Sequence, residues 1–177
     1  MIYLSIGSNL NSIFGDRFQN VKKAIEFLKF EKIKINKISS FYETPSYPNK
    51  NYPKFINIAI LVKSDIKPKK LLNKILLIEK KMQRIRTLKN EPRTCDIDII
   101  DFDGLSVDSE ELKLPHPKLH ERNFVLYPLI EIAPSWVHPL NNKKIDNLIK
   151  NLSNNSRNEI TRLKESDILD KWLIMMN

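Results

Sequence analysis

The segment Arg93-Thr94-Cys95-Asp96-Ile97-Asp98-Ile99-Ile100 places an arginine ahead of a short aliphatic run holding two aspartates two residues apart. The run ends at Asp103-Gly104, a hairpin-type turn signal, and its isoleucines favour a β-strand. Side chains at i and i+2 share one strand face, so Asp96 and Asp98 stand side by side while Cys95, Ile97 and Ile99 form the other face. Adjacent carboxylates repel, and a cation is the usual compensation. An edge strand with a solvated polar face would also carry such a pair.

Working outward, the 177 residues suit one domain with a core large enough to fold unaided. No apolar run approaches the roughly 20 residues that span a bilayer. The start, Met1-Ile2-Tyr3-Leu4-Ser5-Ile6-Gly7, lacks the basic and apolar regions of a signal peptide, so the expected location is the cytoplasm. Cys95, the single cysteine, has no internal disulfide partner and reads as a small buried apolar side chain. The net charge of +9 admits a polyanionic partner. Lysine, asparagine and isoleucine are abundant and glycine is scarce, so compositional drift accounts for most of the lysines. The few arginines matter more, because Arg84, Arg86, Arg93 and Arg122 flank the aspartate strand and a guanidinium fork suits phosphate oxygens.

Ile2 to Ile6 reads as a first strand broken by Gly7-Ser8-Asn9. Phe18, Val21, Ala24, Ile25 and Leu28 recur at helical spacing, with Asp16 as the cap. Ile33 to Glu43 reads as one strand ending at Thr44-Pro45, and Phe55 to Val62 as a central strand, apolar on both faces. Pro68 opens a second helix whose buried stripe is Leu71, Leu72, Ile75, Ile78 and Met82. Leu105 to Val107 is expected to return as a hairpin strand. A third helix is expected from about Glu121 to Ile132, with weaker helical patterns near Ile145 to Leu152 and Ile168 to Met175. The order strand-helix-strand-strand-helix-strand predicts an α+β, ferredoxin-like split βαβ sandwich: an antiparallel-rich sheet with helices packed on it.

The chemistry follows from three groups. Asp96 and Asp98 suit Mg²⁺, which typically takes one or two carboxylates plus substrate phosphates. Arg84, Arg86 and Arg93 are placed to offset polyphosphate charge, or else form a solvated basic loop. Phe55 and Asn57 share a strand face and, with Phe124, would suit a flat heteroaromatic ring; equally, Phe55 is a core residue and Asn57 a strand-end cap. His116 sits between prolines, and the other histidines have no metal-ligand spacing with it. The chain lacks a phosphate loop and a dinucleotide fingerprint, so any nucleotide is held without a glycine cradle.

Four ordered motifs together resemble a known family. They are Ile6-Gly7-Ser8-Asn9-Leu10, Ser40-Phe41-Tyr42-Glu43-Thr44-Pro45, the Arg93 to Ile99 strand, and Leu114-Pro115-His116-Pro117 through Arg122-Asn123-Phe124-Val125-Leu126-Tyr127-Pro128-Leu129. The chain from Met1 to Pro139 is similar to the 6-hydroxymethyl-7,8-dihydropterin pyrophosphokinases of folate biosynthesis. The resemblance implies transfer of the terminal diphosphate of ATP to the pterin hydroxymethyl oxygen, with AMP leaving. It implies Asp96 and Asp98 as ligands of two Mg²⁺ ions and Arg84 and Arg93 as catalytic arginines that also contact ATP. Glu79, His116 and Arg122 match nucleotide-side positions. Thr44, Pro45, Tyr47, Phe55, Asn57 and Phe124 match the pterin pocket. Such enzymes are typically monomers, without nucleic-acid or membrane partners, with mobile loops that here correspond to Gly7 to Phe14, Ser46 to Lys54 and Arg84 to Pro92. One domain is expected over 1–177, with a C-terminal extension over about 153–177.

The departures are specific. Asn90-Glu91-Pro92 stands where many members have a loop tryptophan, and Glu111-Leu112-Lys113 where many have Arg-Leu-Thr. A nucleic-acid-binding module leaves the paired aspartates without a reason. A different Mg²⁺-dependent nucleotidyl transferase would release inorganic pyrophosphate instead of AMP.

Overall fold

The computed structural model describes residues 1–85 and 90–164. Arg86 and the helical pattern near Ile168 to Met175 lie outside the described residues. Strand β1 (Ile2–Ser8) is followed by α1 (Arg17–Phe30), β2 (Lys34–Ile38), β3 (Tyr42–Thr44) and β4 (Phe55–Lys63). Helix α2 (Pro68–Lys81) leads to β5 (Asp96–Phe102). A two-stranded pair, β6 (Val107–Asp108) and β7 (Lys113–Leu114), precedes α3 (Asn123–Ile132) and α4 (Ile145–Lys150). The described part closes with α5 (Asn154–Asn158) and β8 (Thr161–Arg162).

The main sheet runs β5-β1-β4-β3-β8, with β2 also paired to β4, and each described pairing is antiparallel. This is the predicted α+β sandwich. One face carries Leu4, Ile6, Ile58, Ile60, Ile97 and Ile99 against the apolar stripes of α1 and α2. The other carries Tyr3, Ala59 and Ile100 against α3 and α4. Strand β4 is central, as its two apolar faces predict.

Local chemistry sets the helix starts. Asp16 Oδ1 accepts from the Phe18 and Gln19 backbone N–H groups, and Gln19 Oε1 accepts from Asp16 N at 2.8 Å, which completes a capping box. Pro68 opens α2, where its missing N–H costs nothing. Asp103 and Gly104 both take positive φ, 52° and 69°, as a tight reversal requires.

Three expectations change. Strand β1 continues through Gly7 and Ser8 instead of breaking there, because β4 and β5 both pair with it at Gly7. The single strand expected over Ile33 to Glu43 is two strands, split at Ser39. There the side chain replaces the ladder: Ala59 N donates to Ser39 Oγ at 2.9 Å, and Ser39 N donates to Ala59 O. The chain after Gly104 does not return along β5. Val107 pairs with Leu114 instead, and His116 N donates to Ile100 O at 2.9 Å on the outer side of β5.

These packing roles differ in size. Replacing Asp16 with Ala is expected to cost about 1 kcal/mol through the lost cap. Replacing the fully buried Ile58 with Ala is expected to cost roughly 2–5 kcal/mol through lost burial and a cavity. Urea denaturation of both variants measures the difference, and equal losses would contradict the packing described.

Candidate active site

The antiparallel register builds a row of residues across one end of the sheet. Asp96 of β5 lies opposite Gly7 of β1, Gly7 opposite Asn57 of β4, and Asn57 opposite Tyr42 of β3. One step inward, Asp98 lies opposite Ser5. Strands in a sheet lie about 4.8 Å apart, so the acidic residue and the amide are separated by roughly the width of a small bicyclic molecule. Gly7 keeps that floor low. A Cβ there would lie 2.9 Å from Asn57 Oδ1 and 3.5 Å from the Phe55 ring.

Each aspartate is held by arginine. Arg84 Nη1 bridges Asp96 Oδ1 and Glu79 Oε1, both at 2.5 Å. Arg93 Nη2 reaches Asp96 Oδ2 at 2.9 Å, and Arg122 Nη1 reaches Asp98 Oδ2 at 3.3 Å. Two of these guanidiniums also cover aromatic rings: Arg93 lies 5.1 Å above the Phe55 ring centroid, and Arg122 lies 5.4 Å above that of Phe124. Two chains result, Phe55–Arg93–Asp96 and Phe124–Arg122–Asp98, which tie the aromatic end of the site to the acidic end.

Glu79 is the buried charge of the cluster, 2% exposed on the inner stripe of α2. Its carboxylate accepts the Ile97 backbone N–H at 2.9 Å, between the two aspartates, as well as Arg84. The buried charge thus has the partners it needs. Glu79 props up β5 and Arg84 from below, whereas the resemblance implies a nucleotide contact. His116 is brought in by its backbone bond to β5. Lys118 N donates to its Nδ1 at 3.1 Å, and its Nε2 lies 3.4 Å from Arg122 Nη1 and 3.9 Å from Asp98 Oδ2. Burial, and then the Arg122 charge, push the imidazole down to about 4.

On the other side, Asn57 Nδ2 donates to Thr44 Oγ1 at 3.0 Å, both buried. Phe55 and Phe124 are half-buried, whereas Tyr47 is 80% exposed on its loop and turned to solvent. Lys113 donates to Asp108 across the β6–β7 pair, so its charge is engaged there.

Sequence reasoning missed Asn9. Its Oδ1 accepts from Arg93 N at 2.7 Å, while its Nδ2 donates to Ser46 Oγ and Pro53 O at 3.1 and 3.0 Å. Arg93 O in turn accepts from Asn9 N and Leu10 N. One amide thereby joins the first loop, the second loop and the entry to β5. A cleft lined by Asn9, Leu10, Asn11, Arg17, Pro53 and Lys54 opens between those loops.

Among the described residues no group of three or more His, Cys, Asp or Glu side chains forms a metal cage. The Asp96–Asp98 pair nevertheless fits a hard divalent cation. It supplies two oxygen donors and leaves the remaining positions to water or phosphate, the usual arrangement for Mg²⁺. The buried Arg93 Nε has no hydrogen-bond partner among the described residues, an orphan donor suited to an anion at the same place.

The family profile for 7,8-dihydro-6-hydroxymethylpterin-pyrophosphokinase (HPPK) matches residues 3–134. A relative from Aquifex aeolicus, named 2-amino-4-hydroxy-6-hydroxymethyldihydropteridine pyrophosphokinase, is 39% identical over 144 residues, which is 81% of this chain and 87% of that one. A folic acid synthesis protein of Dictyostelium discoideum is 41% identical over 139 residues, 78% of this chain, but the chain spans only 20% of that protein's length. Crystal structures of Plasmodium falciparum HPPK-DHPS share the fold; one complex with STZ-DHP has a TM-score of 0.68 at 15% identity, over 91% of this chain and 46% of that one. The family profile and the named relatives define a transferase of the kinase class. The chain belongs to the 7,8-dihydro-6-hydroxymethylpterin-pyrophosphokinase family.

The site also predicts a pH response. The Asp98 carboxyl keeps 31% of its side-chain surface, yet burial and then the Asp96 charge push it up to about 7 from 3.8, with Arg122 opposing. A carboxyl raised in the fold favours the protonated protein, so its contribution to stability is full at low pH and is lost as pH rises through that interval. Metal-free protein is expected to melt at a lower temperature at about pH 8 than at about pH 5, and Asp98→Asn to lose less over the same interval. Thermal unfolding at both pH values tests this, and identical losses in the two proteins would contradict it.

Proposed function

We propose that this chain transfers the pyrophosphoryl group of ATP to the hydroxymethyl oxygen of 6-hydroxymethyl-7,8-dihydropterin, releasing AMP. The observation that carries the reading is the pair of chains Phe55–Arg93–Asp96 and Phe124–Arg122–Asp98, which join an aromatic end to an acidic end through guanidiniums. Pterin lies at the aromatic end, where Phe55 and Phe124 stack on its faces. Asn57 and Thr44, already hydrogen-bonded to each other, read its polar edge, with Pro45 in the wall. Tyr47, exposed on the second loop, joins the pocket only if that loop folds inward.

Asp96 and Asp98 would hold Mg²⁺, two ions in this reading, and the metal would neutralise the phosphate charge that develops at the transferred group. Arg84 and Arg93 release Asp96 and take phosphate oxygens, keeping local charge nearly balanced as ATP enters. Arg122 and neutral His116 flank Asp98 and orient the nucleotide's phosphates from the opposite side. Glu79 acts from below by fixing Arg84 and the Ile97 amide. The reaction needs no covalent protein intermediate: alignment of the hydroxyl oxygen, the β-phosphorus and the leaving AMP accounts for most of the rate.

The same reading takes the chain as one domain over 1–177, acting as a monomer in the cytoplasm, with no nucleic-acid or membrane partner. What supports the single domain is the sheet, which includes β8 near the end of the described residues.

Incubation with ATP, pterin and Mg²⁺, followed by phosphorus NMR, is expected to give AMP and pterin diphosphate. Release of inorganic pyrophosphate, or no turnover, would overturn the proposal. Asp96→Ala and Asp98→Ala are each expected to lower kcat by about two orders of magnitude or more while circular dichroism stays unchanged. Near-normal rates in both variants would remove the metal assignment.

A further inference from the structure

The segment after Leu152 lies beyond the residues matched by the family profile, which end at 134. It is nonetheless anchored at both ends. Leu152 is buried in the layer formed by α3, α4 and the adjoining sheet face. Leu163 packs against the core under α1 and α2, and its N–H donates to Phe41 O at 2.9 Å. Between these anchors the chain crosses the aromatic side of the site and touches it three times.

The first contact is the most buried. Asn123 is 9% exposed and immediately precedes Phe124. Its Nδ2 donates to Ser156 O at 2.6 Å, and its Oδ1 accepts from Phe124 N at 2.6 Å. One amide thus clamps the backbone of Phe124 to α5, and α5 is itself capped by Ser153 Oγ, which accepts from Ser156 N at 3.2 Å. The second contact is the ion pair of Glu159 with Lys50, which holds the second loop. In the third, β8 pairs with β3, setting Tyr42 opposite Arg162 and Glu43 opposite Thr161, one residue from Thr44. Arg162 also donates to Ser40 Oγ, and Ser40 and Tyr42 donate to Glu131 of α3. The strand that carries Thr44 and the helix that carries Phe124 are therefore bound to the same C-terminal segment.

We propose that residues 153–163 form a brace for the pterin half of the site, acting on Phe124 through Asn123, which is a positioning residue. This rests on the reading of Phe124 as a pterin-stacking side chain. Arg84 and Arg93 follow α2 and precede β5, away from these three contacts, and Arg122 is the one nucleotide-side residue that adjoins Asn123, so the effect falls more heavily on pterin than on ATP.

The test measures KM for each substrate and direct pterin binding by fluorescence, in the full chain. Asn123→Asp keeps the acceptor for Phe124 N but sets a carboxylate against the Ser156 carbonyl. It is expected to raise the pterin KM about tenfold, with the ATP KM and kcat within about twofold of wild type. Ser153→Ala, remote from the cleft, removes the cap of α5 and is expected to raise the pterin KM roughly threefold. Phe124→Ala is the reference and is expected to lose pterin affinity selectively. If it is selective while Asn123→Asp and Ser153→Ala shift both KM values together, in step with a fall in Tm, or shift neither, the brace is overturned. If Phe124→Ala itself spares pterin affinity, the stacking assignment falls and the brace falls with it.

Discussion

Two carboxylates on one face of β5 are the constraint around which the rest of the site is arranged. The register of β5 against β1 leaves Asp96 and Asp98 on the same side, beside Gly7 and Ser5, while Ile97 between them faces the core. Like charges this close repel, and partial burial makes the repulsion worse. Three arginines from three segments converge to offset it: Arg84 after α2, Arg93 before β5 and Arg122 before α3. Glu79 supports the arrangement from within α2. The acidic pair therefore does more than offer oxygens to a cation, because it also holds Arg84, Arg93 and Arg122 in place.

The same arginines link both ends of the site. Because Arg93 and Arg122 each touch an aspartate and a phenylalanine ring, movement of the guanidiniums toward phosphate would uncover the two aromatic faces. On the proposed reading, occupancy of the nucleotide end and access to the pterin end would be coupled through these two contacts, with no long-range pathway required.

Much of this was legible in the sequence wherever the cause is local. Asp16 with Gln19, Pro68, and Asp103-Gly104 announce their elements through bonds within a few residues. The period-2 pattern of β5 exposes the acidic pair, and the apolar faces of β4 place it centrally. What the sequence hid depends on distant partners. Asn9 stands within the Ile6-Gly7-Ser8-Asn9-Leu10 motif, but the residues it joins lie 37, 44 and 84 positions away and only the fold brings them to it. Ser39 breaks a strand through a bond to Ala59 that only the folded sheet provides. Strand β8 is two residues long, too short for any periodicity. Glu79 did carry a signal: it stands on the inner stripe of α2, four residues after Ile75, where a charge requires a dedicated partner. Asn90-Glu91-Pro92 carries no aromatic side chain, and the Phe55 and Phe124 rings are covered by Arg93 and Arg122.

On the proposed reading, the aspartates exchange arginine for metal as the arginines exchange aspartate for phosphate. This exchange is tested most directly by NMR of the Asp96 and Asp98 carboxylates and the Arg84 and Arg93 guanidiniums. Mg²⁺ and a non-hydrolysable ATP analogue are titrated together. Carboxylate and guanidinium signals are expected to move in a single concerted step, with neither ligand alone producing the full change. Guanidinium shifts with the carboxylate signals left unmoved would contradict it.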